Sequence, residues 1–144
     1  MNTRTETPPV TILLAWTDAL NRHDAYAAAA YFAPDADLTN AGTGTHAQGR
    51  DAIREEFKSY FAMFTDWAVE KTRPLSDGTW YAAEWVMTGV HTGDVPGLPA
   101  TGRSFRVVGA GVGEVRDGLI VHATEYFNMA DLLTQVGILP PPPG

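Results

Sequence analysis

The stretch "GRDAIREEFKSYFAMFTDWAVEKTRPL", residues 49–75, changes its hydrophobic period halfway along. In its first part Ile53, Phe57, Tyr60, Phe61 and Phe64 recur at spacings of three and four, which is one apolar face of a helix. From Trp67 onward the period falls to two, the signature of a strand with one buried face. Segments upstream of this switch read as helical and segments downstream as alternating. Helices first and strands after them predict an α+β domain.

Upstream, "TPPVTILLAWTDALNRHD" (7–24) places Leu13, Trp16 and Leu20 at helical spacing, with Thr7 and the prolines as a start signal. Asp24 is placed to cap a short second helix, "AYAAAAYF", which Pro34 ends. "DADLTNAG" reads as a short strand entering a Gly-rich loop. Downstream, "WAVEKTRPL", "TWYAAEWVMTGVHTG", "RSFRVVGAGVGEVR" and "LIVHATEYF" read as four strands. The turn signals "SDG" and "RDG" predict antiparallel hairpins, and the longer loop "DVPGLPAT" joins the middle pair. Asn128 can cap a last helix, "MADLLTQV", with Gly137 as its stop. No internal repeat or domain-separating linker interrupts the chain. The expectation is a single domain over residues 1–144, with a flexible leader at 1–7 and a stiff Pro-rich tail at 140–144.

The 144 residues suit one domain with a sizeable core, and the 44% hydrophobic content can line a cavity as well as fill it. Cysteine is absent, which removes disulfides, zinc–thiolate sites and thiol nucleophiles. Lys plus Arg number 10 against 17 Asp plus Glu, a formal charge of −7, which argues against nucleic acid and anionic membranes as partners. "ILLAW" is too short for a signal-peptide core or a membrane span, so a cytoplasmic setting is expected.

The chemistry points to one residue first. In "LIVHATEYF", Leu119, Val121, Ala123 and Phe127 share a parity with Glu125, so a carboxylate is placed among apolar neighbours. Glu125 is then either a structural member of an ion pair or a general acid/base with its pKa raised by apolar walls. Glu84, in "AAEWVMT", is a second such carboxylate, on the same face as Glu125 or the opposite one. Gly109, Gly111 and Gly113 in "VVGAGVGEV" fall on one strand face and do not make a dinucleotide fingerprint, because a strand follows them. They leave a trough in the sheet, open to an aromatic from the long helix or to a ligand. His23, His46, His91 and His122 form no pair at metal spacing, so neither a metal nor a cofactor is expected. His91, beside a Gly/Pro loop, reads as a cavity-mouth residue or an ordinary surface histidine. No G-x-S-x-G signals a serine hydrolase.

From about Trp16 to Gly137 the arrangement resembles the nuclear transport factor 2-like superfamily, which includes ketosteroid isomerase, limonene epoxide hydrolase and the SnoaL-like polyketide cyclases. "ALNRHD", "YFAPDADL" and "GRDAIREEF" are similar to the isomerase and to proteins of polyketide and enediyne antibiotic clusters. "GVHTGDVPGLPATGRSF", "VRDGLIVHATEYFNM" and "LLTQVG" are similar to the SnoaL-like group. The resemblance implies a cone-shaped α+β fold whose N-terminal helices pack on a curved, mostly antiparallel sheet around a pocket. It puts Trp16 and Asn40 where the isomerase has its helix-1 tyrosine and catalytic aspartate, and neither residue can do those jobs. It puts Glu125 where the cyclases and the epoxide hydrolase carry their acid/base aspartate. "AAEWVMT" lacks the arginine of the epoxide hydrolase's water-activating set. Gly109 and Gly111 fall where the cyclase has polar lining residues, which implies a roomier, less polar pocket.

The expected function is acid/base catalysis on a hydrophobic polyketide-like intermediate by cyclisation, isomerisation or dehydration. Glu125 and Asn40 are the expected catalytic residues. Trp16, Tyr31, Phe61, Glu84, Trp85, His91, Gly109, Gly111, Phe127 and Asn128 are expected around the ligand. The rivals are a non-catalytic binder of the same intermediate and a water-adding hydrolase. A homodimer is expected through the outer sheet face, because "TWYAAEWVM" carries bulk on both parities.

Overall fold

The structure is a computed structural model that describes residues 7–94 and 99–143. Residues 1–6 of the expected leader, 95–98 of the expected loop and Gly144 lie outside the described residues. The elements run α1 (Pro9–Asn21), α2 (Ala25–Ala29), β1 (Phe32–Asn40), β2 (Thr45–Gln48), α3 (Arg50–Met63), β3 (Phe64–Lys71), β4 (Leu75–Ser76), β5 (Trp80–His91), β6 (Ser104–Arg116), β7 (Leu119–Phe127) and α4 (Met129–Gln135). The architecture is α+β, with the N-terminal helices on one mostly antiparallel sheet ordered β2-β1-β7-β6-β5-β3, and β4 paired on β5.

Local signals account for many of the boundaries. Asp24 caps α2 by accepting from the Ala27 amide, and Asn128 caps α4 by accepting from the Asp131 amide. Helix α1 starts at the prolines without a side-chain cap, so Thr7 does not play that part. Asp117 and Gly118 both have positive φ, 52° and 78°, the geometry of a type I′ turn that closes the β6–β7 hairpin. Phe64 leaves the expected helical face: it is the C-cap of α3 in extended conformation and opens β3.

Long-range pairing accounts for the rest. Strand β1 is parallel to β7, with Asn40 opposite Glu125, and joins elements from the two ends of the chain. "THAQ", expected as loop, forms β2 because β1 offers it an antiparallel edge. The buried core gathers Leu13, Trp16 and Leu20 of α1, Ile53 and Phe57 of α3, and the inward residues of the sheet. Fully burying a side chain such as Phe57 contributes about 1.5–3 kcal/mol.

Edge strand β3 is met on its outer side by His23, whose Nε2 lies 2.7 Å from the Trp67 carbonyl oxygen, and by Asn21. Asn21, at the end of α1, donates through Nδ2 to the Val69 carbonyl and accepts through Oδ1 from the Val69 amide, both at 2.8 Å. These bonds imitate a neighbouring strand and fix α1 to the sheet. Asn21→Ala is expected to lower stability by about 1–2 kcal/mol in urea unfolding and to speed hydrogen exchange at the Val69 amide.

Candidate active site

Strand alternation points Trp67, Val69 and Lys71 of β3, Tyr81, Ala83 and Trp85 of β5, and Glu125 and Phe127 of β7 to the inner face. Two rows cross the sheet there. Asn40, Glu125, Gly111 and Ala83 form one, and Phe127, Gly109, Trp85 and Lys71 form the next. Between these rows and helices α1, α3 and α4 lies a cavity of about 300 Å³. Its wall is mainly apolar, and its ionisable members are Glu56, Tyr60, Lys71 and Glu125.

The glycine row explains how the polar groups lie so low in the sheet. A Cβ on Gly111 would run into the Glu125 carboxylate, on Gly109 into the Trp85 ring, and on Gly113 into the Tyr81 ring. The trough is therefore filled by side chains of the flanking strands, not by the long helix. The space that Gly109 and Gly111 leave is occupied by Trp85 and Glu125.

Glu125 Oε2 accepts from Trp85 Nε1 at 2.9 Å. Although the residue as a whole is only partly buried, Oε1 is sealed from solvent and has no hydrogen-bond partner among the described residues. Burial raises the Glu125 pKa, against the lowering effect of the Lys71 charge and the Trp85 bond. Burial also lowers the Lys71 pKa, against the raising effect of Glu125. Lys71 places its ammonium 5.4 Å from the centre of the Trp16 ring.

A second polar group sits along the wall. Asn40 Nδ2 donates to the Tyr60 hydroxyl at 3.4 Å, and Asn40 Oδ1 accepts from the Thr43 amide at 3.1 Å. Tyr60 and Thr45 both donate to Glu56 Oε1, at 3.1 and 2.8 Å. Burial and the charge of Glu56 push the Tyr60 pKa far up, so its phenol stays protonated.

Of the expected ligand-side residues, Trp16, Asn40, Trp85, Glu125 and Phe127 line the cavity, and Gly109 and Gly111 floor it beneath Trp85 and Glu125. The others do not. Glu84 points to the opposite face of the sheet, where it is exposed and paired with Arg73 at 3.6 Å, because its even parity opposes that of Trp85. His91 is neither at the mouth nor on the surface: it is buried against Phe64, with Nδ1 3.2 Å from Thr101 Oγ1. Phe61 lies behind the wall, stacked on His23 and edge-on to Trp67. Tyr31 sits in the α2–β1 connection outside the cavity wall, and Asn128 is used as a helix cap. Lys71, Tyr60 and Glu56 were missed. Lys71 was legible by the signal that found Glu125, a charged residue on the parity of Trp67 and Val69.

The SnoaL-like polyketide cyclase profile matches residues 10–136, and the chain belongs to that family. Among solved structures it is similar to a candidate polyketide cyclase from Xanthomonas campestris pv. campestris, with 29% identity over 88% of this chain and 95% of that one and a TM-score of 0.74. It is also similar to IdmH, a candidate polyketide cyclase from Streptomyces antibioticus, with 26% identity, 90% and 98% coverage and a TM-score of 0.78. A Catenulispora acidiphila protein with the ketosteroid isomerase-like fold superposes with a TM-score of 0.81 at 24% identity, over 92% of this chain and 96% of that one. No curated protein matches the chain in sequence.

Gly111→Ala is expected to push the Glu125 carboxylate off the sheet and break its bond to Trp85. Overpacking of this kind costs about 1–3 kcal/mol. A thermal melt reads the cost, and a change in tryptophan emission reads the lost bond.

Proposed function

We propose that the protein carries out acid/base chemistry, by its own side chains, on a hydrophobic polyketide-like carbonyl compound: a cyclisation, an isomerisation or a dehydration. The observation that carries this reading is the Glu125 carboxylate, in the wall of an apolar cavity, with one oxygen anchored by Trp85 and the other without a hydrogen-bond partner among the described residues. A carboxylate with a raised pKa is a stronger base than an ordinary one, and its acid form persists to higher pH, so the same group can take a proton and return it. Trp16, Leu38, Trp85, Met87 and Phe127 supply apolar wall for the carbon skeleton. Asn40 gives one amide N–H to Tyr60 and has a second with which to polarise a ligand carbonyl. Removal of a proton next to that carbonyl by Glu125 gives an enolate, the shared entry to all three reactions. Membership of the cyclase family supports the substrate class.

The test uses 2-acetylnaphthalene as a ligand and follows exchange of its methyl protons for deuterium by NMR. Wild type is expected to accelerate the exchange. Glu125→Gln is expected to abolish the acceleration while still quenching tryptophan fluorescence on binding. Melting the same variant supplies a second readout. A carboxylate with a raised folded pKa contributes stability below its ordinary value of 4.5 and loses it as pH rises through the folded value. Glu125→Gln should therefore melt above wild type at pH 8, with the gap closing below pH 4.5. Unchanged exchange in the variant, or a variant less stable at pH 8, removes Glu125 as the base.

The assembly belongs to the same reading. The outer face of β5, β6 and β7 exposes Trp80, Val108, Val112 and Tyr126, with Val108 60% and Tyr126 52% accessible. We infer that this apolar face docks a second copy of the chain. Light scattering should give twice the 15.6 kDa chain mass, and Val108→Glu should return it to the monomer value.

A further inference from the structure

The sequence contains two lysines, Lys58 and Lys71, and the fold gives them opposite settings. Lys58 stands on the outside of α3, exposed and paired with Glu55 at 3.3 Å. Lys71 closes strand β3 on its inward face, opposite Trp85 in register, and forms part of the cavity wall. Among the described residues it takes part in none of the salt bridges, and its amine stands over the apolar face of Trp16. An amine without a partner in an apolar cavity, one strand pairing from the residue that anchors a carboxylate, has the setting of a nucleophile.

We propose that Lys71 forms a Schiff base with a ketone or aldehyde carbonyl of the bound ligand, so that the site works by amine catalysis together with Glu125. The inference rests on the reading of the cavity as the seat of a carbonyl compound. The neutral Lys71 Nζ attacks the carbonyl carbon, and the carbonyl oxygen takes up a proton from the Glu125 carboxylic acid. The Glu125 carboxylate then moves one proton from the nitrogen to the new hydroxyl, which leaves as water as the freed lone pair closes the C=N bond of the protonated imine. One amine and one carbonyl give one imine and one water, with no redox change. The protonated imine withdraws electrons more strongly than the ketone, so the adjacent C–H is more acidic and Glu125, now a carboxylate, removes it. Hydrolysis afterwards restores the amine. Burial assists at the first step, because it favours the uncharged, nucleophilic form of Lys71. Lysine suits this position where arginine would not, since a guanidinium stays protonated. The fold thus provides a nucleophile and a proton carrier on one wall.

The probe is 1-phenylbutane-1,3-dione, whose Schiff base rearranges to a conjugated enaminone that is stable to mass spectrometry. Wild type at neutral pH is expected to gain one probe mass less one water per chain. Peptide mapping should place that adduct on Lys71 and leave Lys58 free. Lys71→Met should bind the diketone, as read by tryptophan quenching, and form no adduct at that position. Glu125→Gln should keep the adduct but slow its formation roughly a hundredfold, in line with a general acid's contribution. Quenching by the diketone without any adduct would overturn the Schiff base while leaving the cavity reading intact. Equal labelling of Lys58 and Lys71 in wild type would overturn it too, and that comparison does not depend on how the variants fold. Absence of both quenching and adduct would remove the cavity reading together with the lysine's role.

Discussion

A close approach between side chains and sheet backbone underlies the site. Strand β6 has no Cβ at three inward positions in succession, and the flanking strands use that space for Trp85, Glu125 and Tyr81. With side chains there, the Glu125 carboxylate would stand off the sheet and out of reach of Trp85 Nε1. Its burial, its bond and the depth of the cavity all follow from the glycines. Glycine weakens a strand, because the backbone loses more freedom on folding and has no side chain to pack. Here the packing is recovered by the neighbours that lie over it.

Lys71 and Glu125, both half-buried in the cavity wall, are held in opposition. Desolvation drives Glu125 toward its acid and Lys71 toward its free amine, while their mutual attraction works the other way. In both cases burial is the larger effect. A structure selected for stability alone would replace such groups with apolar ones of similar volume. Retaining a carboxylate and an amine in an apolar wall is a cost that the proposed acid/base chemistry accounts for.

The two faces of the sheet divide the work. The inward parity of β5 carries Tyr81, Ala83 and Trp85, all buried, and the outward parity carries Trp80 and Glu84. Polar links tie the helices to the sheet at points away from the cavity floor. Asn21 clamps edge strand β3, and Gln135 of α4 exchanges hydrogen bonds with the backbone of Arg106 in β6 at 2.8 and 2.9 Å. The cavity walls are thus fixed from behind, which leaves the inner residues free to face a ligand.

The sequence by itself determined the α+β class, the main helices, the downstream strands, the β6–β7 turn and the caps of α2 and α4. These are local matters: a period of 3.6 or 2, or a side chain within three residues of the amide it satisfies. It also set Glu125 apart, because a carboxylate on an apolar parity is visible along one strand. Only the tertiary structure decided the parallel pairing of β1 with β7, the strand at Thr45–Gln48, and which of the inward residues share a cavity. Parity told Glu84 from its neighbours Ala83 and Trp85 but could not say which set faced the helices. Asn128 and His91 carried polar groups suited to a ligand, yet a helix amide claimed one and a threonine hydroxyl the other. Such outcomes depend on contacts between residues far apart in the chain, and no local pattern encodes them. Lys71 and Glu125 are 54 positions apart in the sequence, and only the path of β3, β5, β6 and β7 across one sheet brings their charges to the same wall.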